Sequence, residues 1–432
     1  MKLSQCLIVK NEENNIEKAL SWAKEIAFEQ IVVDTGSTDR TIEIAERMGA
    51  IVYHFEWKDD FSAAKNYLID KASGDWIILL DADEFFPPGE ADKLARHIER
   101  IESDPQLREK CIALSCSWDN VDESGKPMST GSNVRMFRNI PSIRFSGRIH
   151  EQHYIDPERV VRMDDVRFIH TGYSITAFKG KNKLERNVRI LRAEIENDPD
   201  NINAKAYLAD SLKLSENDAD KAEAKSIFTG ILESSPNVEL NYKLRIKAYV
   251  FFMNKYVNDP EKRERCEELC NRALDEFPGA LDFEYFLASV LNYKGEYQTA
   301  WKLLKAGEER LASKSNTGVS FYVPADPTML YGQLLLAAQG LGDVDNIIRY
   351  ATMILVSDKT RIDILCPLIA TLLRCGTTED ELLVMLAEIY DTSDPGDLLL
   401  IARAAKNCGA IELASGIMKK AKKILDIHTG SA

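Results

Sequence analysis

The chain has 432 residues, with 55 Lys and Arg against 69 Asp and Glu, and its formal net charge at pH 7 is −14. This length allows two or three domains, each with its own core. The acidic balance and the lack of a Lys/Arg-rich block argue against a nucleic-acid-binding surface and against docking on anionic lipid. The sequence contains no apolar stretch long enough to span a bilayer and begins with a strand-like segment rather than a signal peptide, so we expect a cytoplasmic protein.

The eight cysteines show no C-x-x-C pair and no Cys/His spacing typical of zinc. Cys266 and Cys270 share one face of a predicted helix, and others lie in apolar segments. Most of them are therefore expected to be small buried core residues in a reducing compartment.

The first part of the chain alternates between strand-like and helix-like segments. Apolar runs at residues 6–9, 30–33, 50–53 and 76–80 predict strands, and helical patterns lie between them. This β-α-β-α-β-α-β order predicts a parallel, Rossmann-like sheet. Further strand-like segments near residues 112–118, 134–137, 149–154 and 161–170 predict that the sheet as a whole is mixed. No G-x-G-x-x-G follows the first strand, so neither a nicotinamide nor a flavin cofactor is expected.

Acidic residues follow two of these predicted strands. Asp81 and Asp83 come directly after residues 76–80, and Asp34 follows residues 30–33. In open α/β sheets, ligands bind beyond the carboxyl ends of the strands. Two acids one residue apart suit a divalent cation that also holds a diphosphate. The alternative is a pair of solvated loop acids, since D-x-D triplets are common in acidic chains.

Four blocks in this region resemble, in order, those of the family-2 glycosyltransferases. They are residues 6–13 (CLIVKNEE), 33–39 (VDTGSTD), 64–66 (AKN) and 74–83 (GDWIILLDAD). The resemblance implies the GT-A fold, a nucleoside diphosphate sugar as donor, a divalent metal (Mn²⁺ or Mg²⁺) and transfer with inversion.

Further blocks narrow the resemblance. Residues 135–138 (RMFR), 147–151 (GRIHE), 170–173 (HTGY) and 185–187 (ERN) precede helical repeats. This arrangement is similar to bacterial family-2 transferases fused to tetratricopeptide repeats, a group that includes S-glycosyltransferases of glycosylated bacteriocin peptides. The resemblance implies a peptide or protein acceptor that is modified on a cysteine sulfur or a serine oxygen.

The resemblance also assigns roles to single residues. Asp83 is the expected direct metal ligand, and His170 completes the metal shell unless it is a structural histidine. The nucleotide sugar is expected to contact Val9, Asn11, Glu12, Asp34, Lys65, Asp81, Ala82 and Arg186. A surface lysine is the alternative for Lys65. Residues 179–183 resemble a flexible lid that would let Arg186 close over the diphosphate.

An inverting transferase needs a base that faces the acceptor, and a carboxylate is the usual choice. Glu151 is the expected base. His150 is the second choice, and Glu84 and Asp119 stay open as alternatives. Positive charge for the diphosphate or for an acidic acceptor is expected nearby from Arg135, Arg138 and Arg148.

From residue 182 onward the pattern is helical. Leu287, Ala288, Gly295, Tyr297 and Ala300 stand at the offsets of a tetratricopeptide repeat, in which small residues let two antiparallel helices approach closely. The predicted domains are a GT-A catalytic domain at 1–178, a linking helix and lid at 179–200, and a helical repeat domain at 201–432.

The sequence thus predicts a metal-dependent, inverting hexosyltransferase that uses a UDP-sugar. Helical repeats build surfaces suited to polypeptide segments, so the repeats are expected to hold the acceptor. The alternatives are a cell-envelope saccharide as acceptor, a non-catalytic repeat scaffold, and a nucleotidyltransferase. A homodimer formed through the terminal helices is a further expectation.

Overall fold

A computed structural model of the chain describes residues 2–122, 125, 127–171, 181–235, 240–313, 320 and 322–428. The chain divides into two compact units. The first unit extends to Ser234 and also takes in the segment that ends at Leu244, and the second contains Arg245 and the residues after it. The domain limits at residues 178 and 200 stay a prediction, and the first compact unit includes helices beyond both of them.

An eight-stranded sheet and a separate two-stranded hairpin form the β structure of the first unit. The strands are β1 (Leu3–Val9), β2 (Glu29–Asp34), β3 (Ile51–His54), β4 (Trp76–Leu79), β5 (Glu84–Phe85), β6 (Ala113–Val121), β7 (Pro127–Arg138), β8 (Phe145–Ser146), β9 (Gln152–His153) and β10 (Val160–His170). The large sheet has the order β3-β2-β1-β4-β7-β6-β10-β5, and β8 pairs with β9. Strands β1 to β4 are parallel, whereas β7 runs antiparallel to β4 and β6. The predicted mixed α/β sheet is therefore confirmed.

Helices cover both faces of this sheet. They are α1 (Ile16–Ser21), α2 (Thr41–Arg47), α3 (Phe61–Lys71), α4 (Glu90–Ser103) and α5 (Pro105–Lys110). After the sheet, the chain continues with α6 (Lys181–Asn197), α7 (Ile202–Leu212) and α8 (Asp218–Glu233). On β1, Leu7 packs in one cluster with Ile16 of α1, whereas Cys6 packs in another with Leu68 of α3. Strands buried on both faces explain why they appear in the sequence as continuous apolar runs.

The structure differs from the sequence expectation in two strands. The strand predicted around residues 149–154 contains only the two residues of β9, because Gly147 and His150 have φ angles of 92° and 53°. Positive φ is incompatible with extended strand geometry. Strand β5 was not predicted, since two residues carry no readable alternation. Residues 172 and 173 of the HTGY block and residues 179–180 of the predicted lid lie outside the described residues.

The second unit is helical throughout its described part. Beginning at the end of the first unit, the helices are α9 (Tyr242–Tyr256), α10 (Arg263–Glu276), α11 (Leu281–Lys294), α12 (Tyr297–Ala312), α13 (Tyr322–Ala325), α14 (Thr328–Leu341), α15 (Val344–Ser357), α16 (Ile362–Arg374), α17 (Glu379–Leu386), α18 (Pro395–Asn407) and α19 (Ile411–His428). Among the residues described, none of the helices has the length and apolar character needed to cross a membrane.

Helices α11 and α12 form the predicted repeat unit. Gly295 ends α11 in the left-handed conformation, with φ 80°, which a glycine adopts without steric cost. Ala288 and Ala300 are fully buried between the helices. The next pair approaches this unit closely, because a Cβ atom on Gly340 of α14 would lie 2.3 Å from the ring of Tyr297. Small residues therefore set the helix spacing, as the pattern predicts.

Candidate active site

The carboxyl ends of β1, β2 and β4 bring acidic side chains from three loops together. Val9 at the end of β1 is in register with Asp34 at the end of β2, and β1 pairs on its other side with β4. Burial raises the pKa of Glu12 above its ordinary value; a hydrogen bond from Asn15 lowers it, and the charges of Asp83, Asp81 and Asp39 raise it further. Such a concentration of carboxylates is electrostatically prepared for a cation.

The loops after β1 and β2 are tied to each other. The carboxylate of Asp34 accepts hydrogen bonds from the backbone N–H groups of Gly36 (2.9 Å) and Ser37 (3.1 Å). The side-chain oxygen of Asn11 accepts from the backbone N–H of Thr38 at 2.8 Å, and the N–H of Asn11 donates to the hydroxyl of Ser37. Asp34 and Asn11 thus shape the loops of the predicted nucleotide edge, and their contact with a nucleotide stays a prediction.

Val9 and Ala82 contribute differently from the polar residues of the predicted donor site. Both side chains are buried in the cluster that packs against α1 and α2. The carbonyl of Val9 accepts from the backbone N–H of Thr35. Their positions set the path of the backbone at the ends of β1 and β4, while their side chains belong to the core.

The predicted metal ligands are adjacent. Nε2 of His170 lies 3.3 Å from Oδ2 of Asp83, and its Nδ1 lies 2.7 Å from the side-chain oxygen of Asn120. The backbone N–H of Thr171 donates to the carbonyl of Asp83. Burial lowers the pKa of His170, but the hydrogen bond and charge of Asp83, with the charges of Glu84 and Asp81, raise it above its ordinary value. The end of β10 therefore holds the Asp83 loop in place.

This pair fits a divalent cation that is shared with a diphosphate. Carboxylate oxygen suits Mn²⁺ and Mg²⁺, and nucleotide-bound Mg²⁺ commonly takes one or two protein ligands, with phosphate oxygens and water completing the shell. Within the described ranges, no group of three His, Cys, Asp or Glu side chains is placed to hold a metal by itself. Asp83 and His170 would therefore bind the metal together with the donor.

A buried ion pair stands behind the Asp81 turn. The guanidinium of Arg135 hydrogen-bonds to Glu84 and lies 3.8 Å from Asp81. The other oxygen of Glu84 accepts from the backbone N–H of Asp81 at 3.0 Å. Burial and the charge of Asp81 raise the pKa of Glu84 to about 7 against the opposing effect of Arg135. Glu84 and Arg135 thus both hold this turn in place.

Glu151 and Lys65 form a second ion pair on the other side of the predicted site. Nζ of Lys65 lies 2.5 Å from Oε1 of Glu151, with only 11% and 14% of the side chains exposed. Lys65 also lies 4.9 Å above the ring of Phe145. Lys65 is thus not a surface lysine, and its ion pair fixes the position of the Glu151 carboxylate.

The remaining predicted residues have other partners. His150 stacks on Tyr207, with ring centroids 4.0 Å apart. Asp119 pairs with Arg167 at 2.8 Å. Arg138 pairs with Glu102 at 2.9 Å, an interaction that belongs to the scaffold.

Arg186, on α6, packs against the first residue of α3. Its guanidinium stands 5.1 Å above the ring of Phe61 and donates to Asn187. The backbone N–H of Phe61 donates to the carbonyl of Arg148, in the loop that carries Glu151. Arg186 is therefore linked to the Glu151 loop, and its closure over the diphosphate stays a prediction.

The sequence analysis did not predict two residues that contribute to the site, Asp39 and Asn120. Asp39 accepts from the backbone N–H of Thr41 at the start of α2, and its charge also acts on Glu12. The helix-start pattern around Asp39 is readable, but its proximity to the other acids is not. Asn120 orients His170 because β6 and β10 pair in that register, and no local signal in the sequence indicates it.

Comparison with known proteins agrees with this geometry. Residues 4–106 match the model of Glycosyl transferase family 2. A TPR repeat-containing protein of Synechococcus elongatus is 31% identical over 255 residues, which cover 56% of this chain and 60% of that protein. The glycosyltransferase SunS of Bacillus subtilis is 24% identical over 294 residues, which cover 66% of this chain and 65% of that protein. The chain thus spans less than two thirds of each of these relatives.

Among solved structures, Staphylococcus aureus TarS 1–349 in complex with UDP-GlcNAc has a TM-score of 0.36 and 13% identity, over 68% of this chain and 92% of that one. A similarity of this size assigns no ligand. The family match covers the strands β1, β2 and β4, whose ends carry the acids of the site. Residues 4–106, about a quarter of the chain, therefore match glycosyl transferase family 2.

Proposed function

We propose that this protein is a metal-dependent, inverting glycosyltransferase that moves a hexose from a UDP-sugar to a cysteine sulfur or serine oxygen of a peptide. The observation that carries the proposal is the convergence of Glu12, Asp81, Asp83 and His170 at the carboxyl edge of a family-2 sheet. A paired-acid site at this edge suits a nucleoside diphosphate with its cation.

The donor side acts through charge. Asp83 and His170 would hold the metal, and Asp81 would lie nearer the ribose, fixed by the Glu84–Arg135 pair behind it. A bound Mn²⁺ or Mg²⁺ supplies stabilisation of the negative charge that grows on the departing diphosphate. Asp34, with Asn11 shaping the adjacent loop, would read the nucleotide.

The acceptor side acts through Glu151. Lys65 orients this carboxylate, and Glu151 would accept the proton of an acceptor group. A cysteine is partly deprotonated near neutral pH, whereas a serine hydroxyl is not. Glu151 should therefore matter more for a serine acceptor than for a cysteine acceptor.

Two observations support a polypeptide acceptor in the cytoplasm. The similarity to SunS covers 294 residues and so extends well beyond the 4–106 family match, and the 135–187 blocks resemble the peptide-modifying branch. All eight cysteines are free thiols, which is consistent with a reducing compartment.

The test is UDP release from a panel of UDP-sugars with Mn²⁺, with and without a cysteine-containing peptide. We expect release for one sugar, stimulated by the peptide, and loss of at least 100-fold in Asp83→Ala, because an oxygen ligand of the metal is removed. UDP release that no peptide stimulates would contradict a peptide acceptor and favour a saccharide acceptor. No release with any sugar would leave a non-catalytic scaffold.

Glu151→Gln separates the two acceptor atoms. On matched peptides that differ only in Cys or Ser, we expect the variant to lose about 100-fold or more with Ser and clearly less with Cys. An equal loss on both peptides would contradict a role for Glu151 as proton acceptor.

A further inference from the structure

A cavity of about 640 Å³ opens beside the loop that carries Glu151, within the first compact unit. Its walls come from the β8–β9 loop, from α6 and α7, and from the start of α9. His150 and Gln152, the two chain neighbours of Glu151, both line it. This volume falls in the range of ligand-binding cavities, and none of its lining residues belongs to the donor edge described above.

The lining combines an apolar floor with rings and amides. Ile149 and Leu191 are 8% and 1% exposed and form part of the floor. Tyr207, stacked on His150, and Tyr242, which is 49% exposed, supply rings. Amide side chains are contributed by Gln152, Asn201, Asn203 and Asn241. Amides can donate to and accept from a peptide backbone, while rings and aliphatic groups bind apolar side chains.

The charged groups that line the cavity favour uncharged ligands over anionic ones. None of the described residues that line it is a lysine or an arginine, and one is Glu194. Burial raises the pKa of Glu194, and neighbouring Arg148 lowers it, partly through a hydrogen bond from its backbone N–H. A phosphate-bearing saccharide or an acidic peptide would meet the Glu194 carboxylate and, among the described lining residues, no lysine or arginine to compensate its charge.

We infer that this cavity binds an uncharged, extended segment of the acceptor polypeptide next to the modified residue, with an apolar or aromatic side chain on its floor. The inference rests on the proposed function and gives the acceptor a sequence preference. Because one extended residue spans about 3.5 Å, and residues on both sides of Glu151 line the cavity, the bound side chain belongs within about three residues of the modified position.

The test uses the full-length protein, Mn²⁺, the UDP-sugar that supports UDP release, and a pool of randomised decapeptides with one fixed central cysteine. Modified peptides are sequenced by mass spectrometry. We expect at least fivefold enrichment of apolar or aromatic residues at a position within three of the cysteine, and depletion of Asp and Glu there. Tyr242→Ala should reduce this enrichment at least threefold. Gln152→Ala, at another exposed lining residue, should raise the KM for an enriched peptide severalfold.

The matched control is Tyr293→Ala, which truncates an equally exposed tyrosine (50%) on α11, outside the cavity. This variant should keep the wild-type enrichment and KM. Melting temperatures of all variants identify any that fail to fold. Peptides modified without a flanking preference, or with the same preference in Tyr242→Ala and Gln152→Ala, would overturn the inference and leave the proposed function standing. If the wild-type protein modifies no peptide but transfers to a saccharide, both are overturned.

Discussion

At the scale of single residues, the ion pair of Arg135 and Glu84 holds the turn that carries Asp81. Glu84 is 2% exposed, and the Arg135 side chain is 19% exposed. Together they hold the backbone and carboxylate of Asp81. Removing one member of a buried pair leaves a charge without compensation, which costs more than the intact pair contributes.

We therefore expect Arg135→Met to lower the free energy of unfolding by about 3–5 kcal/mol. The double variant Arg135→Met/Glu84→Gln should recover part of this loss, because no buried charge is then left alone. Urea denaturation measures both. The control is Arg40→Met, which breaks the exposed pair with Glu43 and should change stability by at most about 1 kcal/mol. A loss no larger than that of Arg40→Met would show that Arg135 is not structural.

His170 gives the site a pH dependence. Burial lowers its pKa, but Asp83 and the neighbouring acids raise it above 6.5 in the fold. A histidine with a raised pKa stabilises the fold fully below its unfolded-state pKa, and this stabilisation is lost as pH rises through the folded-state pKa. With metal removed by chelator, the stability difference between wild type and His170→Asn should thus be larger at pH 6 than at pH 9. Urea denaturation at both values tests this, and a pH-independent difference would contradict it.

At the scale of elements, helix α14 contains two glycines in unlike surroundings. A Cβ on Gly340 would lie 2.3 Å from the ring of Tyr297, whereas a Cβ on Gly332 would meet no atom within 4 Å. Gly340 therefore permits the close approach of α14 to α12, and Gly332 does not contribute to it.

Gly340→Ala should accordingly destabilise the protein by about 1–3 kcal/mol, the usual range for overpacking. Gly332→Ala should be neutral or stabilising by up to about 1 kcal/mol, since alanine is the better helix former. Thermal melts of the two variants make a matched comparison. Equal changes in melting temperature in the two variants would mean that α14 can move away from α12 without loss of stability.

The loops at the strand ends show which structural features can be predicted from local sequence. The acids after β2 and β4 were correctly placed at the carboxyl edge, because buried strands and their polar ends are both local patterns. The loop around His150 was wrongly predicted as a strand. The positive φ angles of Gly147 and His150 turn the chain there.

At the scale of the whole molecule, each compact unit has hydrophobic clusters of its own. The large cluster of the second unit contains residues from Leu281 to Ala421, and the three clusters around the sheet contain none of them. Clusters that share no residue favour separate unfolding of the two units.

Calorimetry should therefore resolve two unfolding transitions. UDP with Mn²⁺ should raise only the transition of the sheet-containing unit, because a ligand stabilises the unit that binds it. Gly340→Ala should lower only the other. A single transition that responds to both changes would show that the units unfold together.

The sequence by itself determined the strand–helix alternation, the acidic strand ends, the family resemblance and the repeat pattern, because each of these is written in residues close together in the chain. Only the tertiary structure decided which side chains meet. Arg135 and Glu84 are 51 residues apart, His170 meets Asn120 through the register of β6 and β10, and Lys65 reaches Glu151 from α3. Such partners depend on strand order and pairing register, which arise from packing the whole sheet and leave no local signal in the chain.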